Sequence, residues 1–360
     1  MNRPVELGLL SLGDCLADPV TGVRPTQAER HRAIVASALE GEALGFDSMW
    51  LGEHHFCDYV MSAPPVVLAA IAARTERIRL GTGVTLLANL DPVRVAEDYA
   101  TLDGISGGRV ELVAGRGILA DTYAAFGQPV DESRERFREN LELLRRLWTE
   151  TDVHWSGRFR APLDGVTVEP RPVQRPHPPL WIGGGSSAAS VDLAAELGLP
   201  LMLPSVLAPP IRFLPLLERY RERFARAGHD PARMRVGACH HAHVGATSQD
   251  ARAFWRPYYK NYLDFVERIW KRELLHPKAR VDLGDEGLFE HVAICGSAAE
   301  VTDRLAAARQ VLGLDVQLLM FDLGGLPPAE VSRTLERCAA DVLPHLRGAQ
   351  RSLASPRAVR

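Results

Sequence analysis

Residues 46–56, Phe46-Asp47-Ser48-Met49-Trp50-Leu51-Gly52-Glu53-His54-His55-Phe56, run a short apolar segment straight into three groups that can carry protons. Met49-Trp50-Leu51 reads as a buried strand, and Glu53, His54 and His55 at its end read as the edge of an active site. A helix stops just before it at Leu44-Gly45, where glycine takes the left-handed conformation without steric cost. Side chains alternate along a strand, so Trp50, Gly52 and His54 share one face while Glu53 and His55 share the other. The two histidines therefore have different roles. Taken alone, the pair is equally compatible with a solvated loop, and the rest of the chain has to decide.

Working outward, Val5-Leu12 predicts a first strand. Thr26-Gln27-Ala28-Glu29 has the form of a capping box, followed by apolar residues at helical spacing (Ile34, Val35, Ala38, Leu39). The central stretch gives a second strand over Ser48-Glu53, answered by a helix over about Pro64-Arg74. Arg79-Thr85 is the third strand, and Asp91-Pro92 caps its helix with proline at the first helical position. Val110-Ala114 is the fourth, followed by a helix carrying Phe137, Leu141, Leu144 and Trp148. Such alternation argues for a parallel sheet.

Residues 151–178 break the rhythm with a proline-rich excursion that predicts a small hairpin. Leu180-Ile182, Leu201-Leu203, Val236-Val244 and Val316-Leu323 then supply four more strands, and Ser297-Ala298-Ala299-Glu300 repeats the capping-box form. Eight strand–helix units over residues 1–348 predict one parallel β/α (TIM) barrel. It has insertions after the fourth helix and around strands seven and eight, and a polar tail at 349–360. An open doubly wound sheet is the alternative.

The 360 residues are 46% hydrophobic and 24% charged, ordinary for a globular chain. With 42 basic against 45 acidic residues the net charge is -3, which gives no footprint for nucleic acid or an anionic membrane surface. Five scattered cysteines lack metal or disulfide spacing and point to a reducing cytoplasm. No signal-peptide pattern or apolar run of about 18 residues is present, so a soluble, unexported protein is expected.

In a β/α barrel the site forms at the carboxyl ends of the strands. Glu53, His54, His55, Gly83, Thr85, Arg116 and the segment Gly183-Gly184-Gly185-Ser186-Ser187 all fall there. Glycines leading into a helix N-terminus, with two hydroxyls, suit an anion, and Arg116 can add a bidentate charge. Together they suggest a phosphate. His240, His241 and His243 tempt a metal reading, but barrel hydrolases of that kind also carry His-x-His on the first strand, and this chain does not; no metal is expected.

Several segments now match one family in order and spacing: Gly45-Leu51 with Glu53-Phe56, Arg79-Val84 with Asp91-Asp98, and Leu102-Asp103 with Ser106-Arg109. Gly115-Arg116-Gly117 and Pro176-Gly184 continue the match. The chain resembles the bacterial luciferase-like family of flavin-dependent monooxygenases over nearly its whole length. That resemblance implies the same barrel fold and a two-component enzyme. Such an enzyme takes reduced FMN from a separate reductase and oxygenates a small organic substrate with dioxygen through a flavin hydroperoxide.

It also implies that Arg116 and Gly184-Ser187 hold the FMN phosphate, and that Gly83-Val84 lines the ring system, where the family often has a cis peptide. His54 would do acid/base work, with Glu53 and His55 beside it. Gly115 and Gly185 stand where the luciferase α chain has a cysteine and a glutamate, so light emission and long-chain aldehydes are not implied. A deazaflavin-dependent dehydrogenase and a non-catalytic flavin binder are the alternatives. The aromatic-rich stretch 250–293 is a candidate lid. Small residues on the second and third helices, the side through which family members commonly dimerise, predict a homodimer.

Overall fold

The computed structural model describes residues 4–184, 187–206, 208–273 and 284–353. Its strands and helices alternate as the sequence predicts: β1 (Glu6–Ser11), α1 (Gln27–Leu44), β2 (Ser48–Leu51), α2 (Pro64–Ala72), β3 (Arg79–Leu86), α3 (Pro92–Ser106) and β4 (Val110–Gly115). A short α4 (Ala120–Ala125) precedes α5 (Ser133–Thr149). The excursion is an antiparallel hairpin, β5 (Val153–Trp155) and β6 (Leu163–Val166).

The barrel resumes with β7 (Leu180–Gly183), α6 (Ala188–Leu197), β8 (Leu201–Leu203), α7 (Leu214–Arg226) and β9 (Val236–Gly245). It continues with α8 (Ser248–Glu273), α9 (Gly284–His291), β10 (Ile294–Ser297), α10 (Ala298–Leu312), β11 (Val316–Met320), α11 (Pro328–Arg337) and α12 (Leu343–Leu353).

Eight strands close a parallel ring in the order β1-β2-β3-β4-β7-β8-β9-β11, and β10 adds to the free end of β9. Closure rules out the open sheet. The punctuation works as the sequence indicates. Thr26 and Glu29 form a reciprocal capping box, Asp91 caps α3 through Val93 N–H, Ser297 caps α10, and Gly45 ends α1 with φ 88°.

Two strand ends and one insertion differ in ways that matter for the site. β2 ends at Leu51 and β11 at Met320, earlier than predicted, because the backbone beyond each turns away to build the mouth of the barrel. The segment after the seventh barrel strand holds the 26-residue α8, which runs through Pro257, and the unforeseen strand β10.

Inside the ring, glycines make room for large rings. A Cβ on Gly81 would lie 2.2 Å from the Trp50 ring, and Trp50 packs edge-on to Trp181 at 6.3 Å. Both indole N–H groups find acceptors, Ser48 Oγ at 2.8 Å and Glu111 Oε2 at 2.7 Å, so the filled interior leaves neither unsatisfied. With the lower barrel plugged, polar groups collect above it at the carboxyl ends. No helix among the described residues is long and apolar enough to cross a membrane.

Candidate active site

The chain leaving β2 is fastened to β3. Glu53 N–H donates to Val84 O at 3.1 Å, and Leu86 N–H donates to Glu53 Oε2 at 2.8 Å. The other carboxylate oxygen, Oε1, meets His55 Nε2 at 2.7 Å, and both side chains are buried. Glu53 and His55 therefore do share a face, as alternation predicts, and they hold one another.

His54 projects elsewhere and is half-buried. Its Nδ1 lies 3.4 Å from Gly52 O, the one hydrogen-bond contact of the ring among the described residues. Burial, reinforced by neighbouring His55, pushes its pKa down to about 4. The ring is neutral at physiological pH.

The Gly83–Val84 peptide is cis, as the resemblance suggests. The Val84 side chain lies against two glycines of neighbouring strands: a Cβ on Gly115 would come within 2.4 Å of it, and one on Gly183 within 2.8 Å. Gly115 and Gly183 thus make room for the Val84 side chain, while a Cβ on Gly83 would meet nothing nearer than Leu10 Cδ1 at 3.7 Å.

Arg116 follows β4. Its guanidinium is half-buried, its Nη1 donates to Ser133 Oγ at 2.9 Å in the first turn of α5, and no carboxylate pairs with it among the described residues. Burial lowers its pKa, and Arg134 beside it acts in the same direction. A cation held partly out of water without a counter-charge, at the start of a 17-residue helix, is suited to an anion. Tyr123 O–H donates to Arg116 O and fixes the turn.

Of the remaining predicted cofactor residues, Gly185 and Ser186 lie outside the described residues. Ser187 is the N-cap of α6, its hydroxyl accepting from Ser190 N–H at 3.4 Å. Gly184 N–H is bonded to Met202 O at 3.0 Å within the sheet, so it is not a free donor.

The three histidines of β9 diverge. His241 lies against Tyr259 and Tyr262 of α8, while His243 stacks on Trp255 and bonds Thr334 at 3.2 Å. Burial drives His240 and His243 to about 4 and His241 to about 3. No group of three or more metal-ligating side chains is assembled among the described residues.

Sequence reasoning missed Ser133 and Tyr59. Ser133 belongs to a helix start remote in sequence from Arg116. Tyr59, whose ring lies 4.2 Å from that of His54, sits in a loop without periodicity, so nothing in the pattern marked it. Phe56 also has an unforeseen role: in a left-handed conformation (φ 58°) it turns an exposed ring toward Phe126, 5.8 Å away.

Fold and site together define a parallel β/α barrel whose polar groups, a neutral histidine and an unpaired arginine among them, gather at the carboxyl ends of its strands. The luciferase-like monooxygenase family model matches residues 6–315, and the chain belongs to that family.

Among curated relatives, it is 24% identical over 340 residues to the oxygenase component of a flavin-dependent trigonelline monooxygenase of Acinetobacter baylyi, covering 89% of this chain and 91% of that one. It is 29% identical over 333 residues to an F420-dependent glucose-6-phosphate dehydrogenase of Intrasporangium calvum, covering 88% and 95%. Among solved structures, the monooxygenase RslO1 of Streptomyces bottropensis superposes with TM-score 0.81 at 29% identity, covering 95% of this chain and 99% of that one.

Proposed function

We propose that this chain is the oxygenase component of a two-component flavin-dependent monooxygenase. It takes reduced FMN from a separate reductase and uses dioxygen to oxygenate a small organic substrate. The observation that carries the reading is Arg116, a half-buried cation with no carboxylate partner among the described residues, at the carboxyl end of β4. A flavin phosphate fits that donor set, and the half-buried Val84 side chain, seated between Gly115 and Gly183, offers an apolar surface for a ring system. The trigonelline relative supports the monooxygenase assignment.

Bound reduced flavin supplies the electrons for dioxygen activation. The protein's own residues do the rest. Arg116, held by Ser133 at the start of α5, anchors the anionic end, with Ser187 at the start of α6 as a further hydroxyl. The Glu53–His55 pair ties the loop after β2 to β3, so that His54 keeps its place. His54, kept neutral by burial, has a ring nitrogen available to accept a proton from substrate. Helix α8, seated over the loops after β1 and β11, limits water from above.

Small residues on α2 and α3 support a homodimer through that side. A groove of about 470 Å³ there is lined by Ala69, Val95 and Leu102 and reaches Glu53. Light scattering at micromolar concentration is expected to give the dimer mass.

Purified protein with NAD(P)H alone should consume no oxygen, while chemically reduced FMN plus substrate should yield oxygenated product. The F420-dependent relative motivates a second reading, a deazaflavin dehydrogenase. Tight binding and anaerobic oxidation of reduced deazaflavin, with FMN bound no better than free riboflavin, would establish that reading and reject the first.

A further inference from the structure

The catalytic role proposed for His54 requires a fixed ring, yet its only hydrogen bond among the described residues, Nδ1 to Gly52 O, is 3.4 Å long. That contact is too long to orient an imidazole. What touches the ring is Tyr59, with centroids 4.2 Å apart and planes inclined by 38°.

Tyr59 is itself gripped from three sides. Its backbone pairs with Asp14 across an isolated antiparallel bridge, and flanking bonds tie its loop to the loop after β1: Cys15 N–H to Asp58 O at 2.7 Å and Val60 N–H to Gly13 O at 2.8 Å. His54 N–H closes the loop on Met61 O at 2.9 Å. The Tyr59 ring meets Phe265 of α8 edge-on at 4.8 Å, and its hydroxyl bonds the Tyr262 hydroxyl of α8 at 3.0 Å, where both are buried.

Helix α8 is in turn docked by Asn261 Nδ2, which donates to Ala17 O at 3.0 Å and Gly324 O at 2.9 Å. On its inner side the Tyr262 ring rests edge-on against buried His241 at 5.1 Å.

We infer that Tyr59 and Tyr262 are positioning residues: the hydroxyl pair joins α8 to the loop after β2, so that seating of α8 over the mouth sets the orientation of the His54 ring. The inference rests on the acid/base reading of His54, but its physical content, that α8 restrains that ring, can be read without turnover. The contacts form one continuous line, from α8 through two tyrosines to the histidine. Among the described residues, no hydrogen bond or ring contact joins either tyrosine to Arg116, Ser133 or Ser187, so phosphate binding is expected to be unaffected by the link.

The test uses the full-length protein and the variants Tyr59→Phe, Tyr262→Phe, the double variant, and Tyr59→Leu. Phenylalanine keeps the stacking ring and removes only the hydroxyl bond. Each single Phe variant should lower kcat about five-fold, the scale of one buried hydrogen bond, with the dissociation constant for reduced FMN unchanged. The double variant should be no worse than either single one, because both remove the same bond.

Independently of activity, NMR of ring-labelled histidine should show one sharp His54 environment in the unaltered protein and a broadened or split one in Tyr262→Phe. Tyr59→Leu should let the His54 titration move up toward about 6.5, the value of a solvated ring. The groups facing His54 and Tyr59 in that titration are His55 and Cys57 on the same loop, Asp14 on the loop after β1, and Tyr262 on α8. If Tyr262→Phe leaves the His54 signals unchanged, or if the two Phe effects add, α8 does not restrain the ring and the inference fails. If the NMR changes appear while no oxygenated product forms with any flavin, the restraint stands and the monooxygenase reading is the part that falls.

Discussion

Replacing Glu53 by alanine separates a residue that holds the site together from one that reacts. Its side chain is 3% exposed and serves two partners at once, accepting from Leu86 N–H at 2.8 Å and pairing with His55 Nε2 at 2.7 Å. Truncation leaves a buried backbone donor and a buried imidazole without acceptors, each costing about 1–3 kcal/mol, so a loss of about 3–5 kcal/mol is expected. With an unfolding entropy of about 2.1 cal/mol/K per residue, a chain of this length converts that loss into a fall of about 4–7 °C in Tm. The Glu53 N–H bond to Val84 O belongs to the backbone and survives. Glu53→Gln keeps an acceptor for Leu86 N–H and should lose about half as much. Differential scanning calorimetry at fixed pH and scan rate measures both. A fall of less than about 1 °C for Glu53→Ala would show that the carboxylate is dispensable to the loop and refute the clamp.

Three further expectations follow from the same geometry. Arg116→Ala should weaken reduced FMN about 10–100-fold, the cost of one or two charge-assisted hydrogen bonds, while leaving riboflavin binding nearly unchanged; equal losses by calorimetric titration would move Arg116 away from the phosphate. His54→Ala should keep flavin affinity and lower product formation about 100-fold or more, with unchanged turnover removing it from the chemistry.

Asp14 governs a pH effect of unusual sign. Burial, only partly opposed by Arg30, raises its pKa from 3.8 to about 6, so between those values the folded state holds a proton that the unfolded state has lost. Its contribution to stability therefore grows as pH falls through 6 and is lost as pH rises, the reverse of an ordinary ion-paired aspartate. The Tm of the unaltered protein relative to Asp14→Asn should rise on going from about pH 7.5 to about pH 5; a constant difference would mean that Asp14 keeps an ordinary pKa.

The barrel was legible in the sequence because its signals are local. Apolar runs of strand length, Thr26-x-x-Glu29, Asp91-Pro92 and Gly45 each act through near neighbours, and each sits in the structure where its chemistry requires. Period-two alternation was also enough to set Glu53 and His55 on one face and His54 on the other. Gly184 was among the residues expected to hold the phosphate, but the neighbouring strand claims its N–H for the sheet, a pairing that no single segment encodes.

The partners of the site residues had to wait for the tertiary structure, since they come from far along the chain. Ser133 reaches Arg116 from 17 residues away, and Tyr262 reaches Tyr59 across 203 residues, brought there by a helix whose sequence shows only that it is aromatic. The low pKa of His54 is likewise a property of burial by its surroundings and cannot be read from the histidine itself. Spacing along the chain decided which groups stand at the mouth of the barrel. Ring closure and the docking of α8 decided which of them are paired, which are free, and which hold a proton.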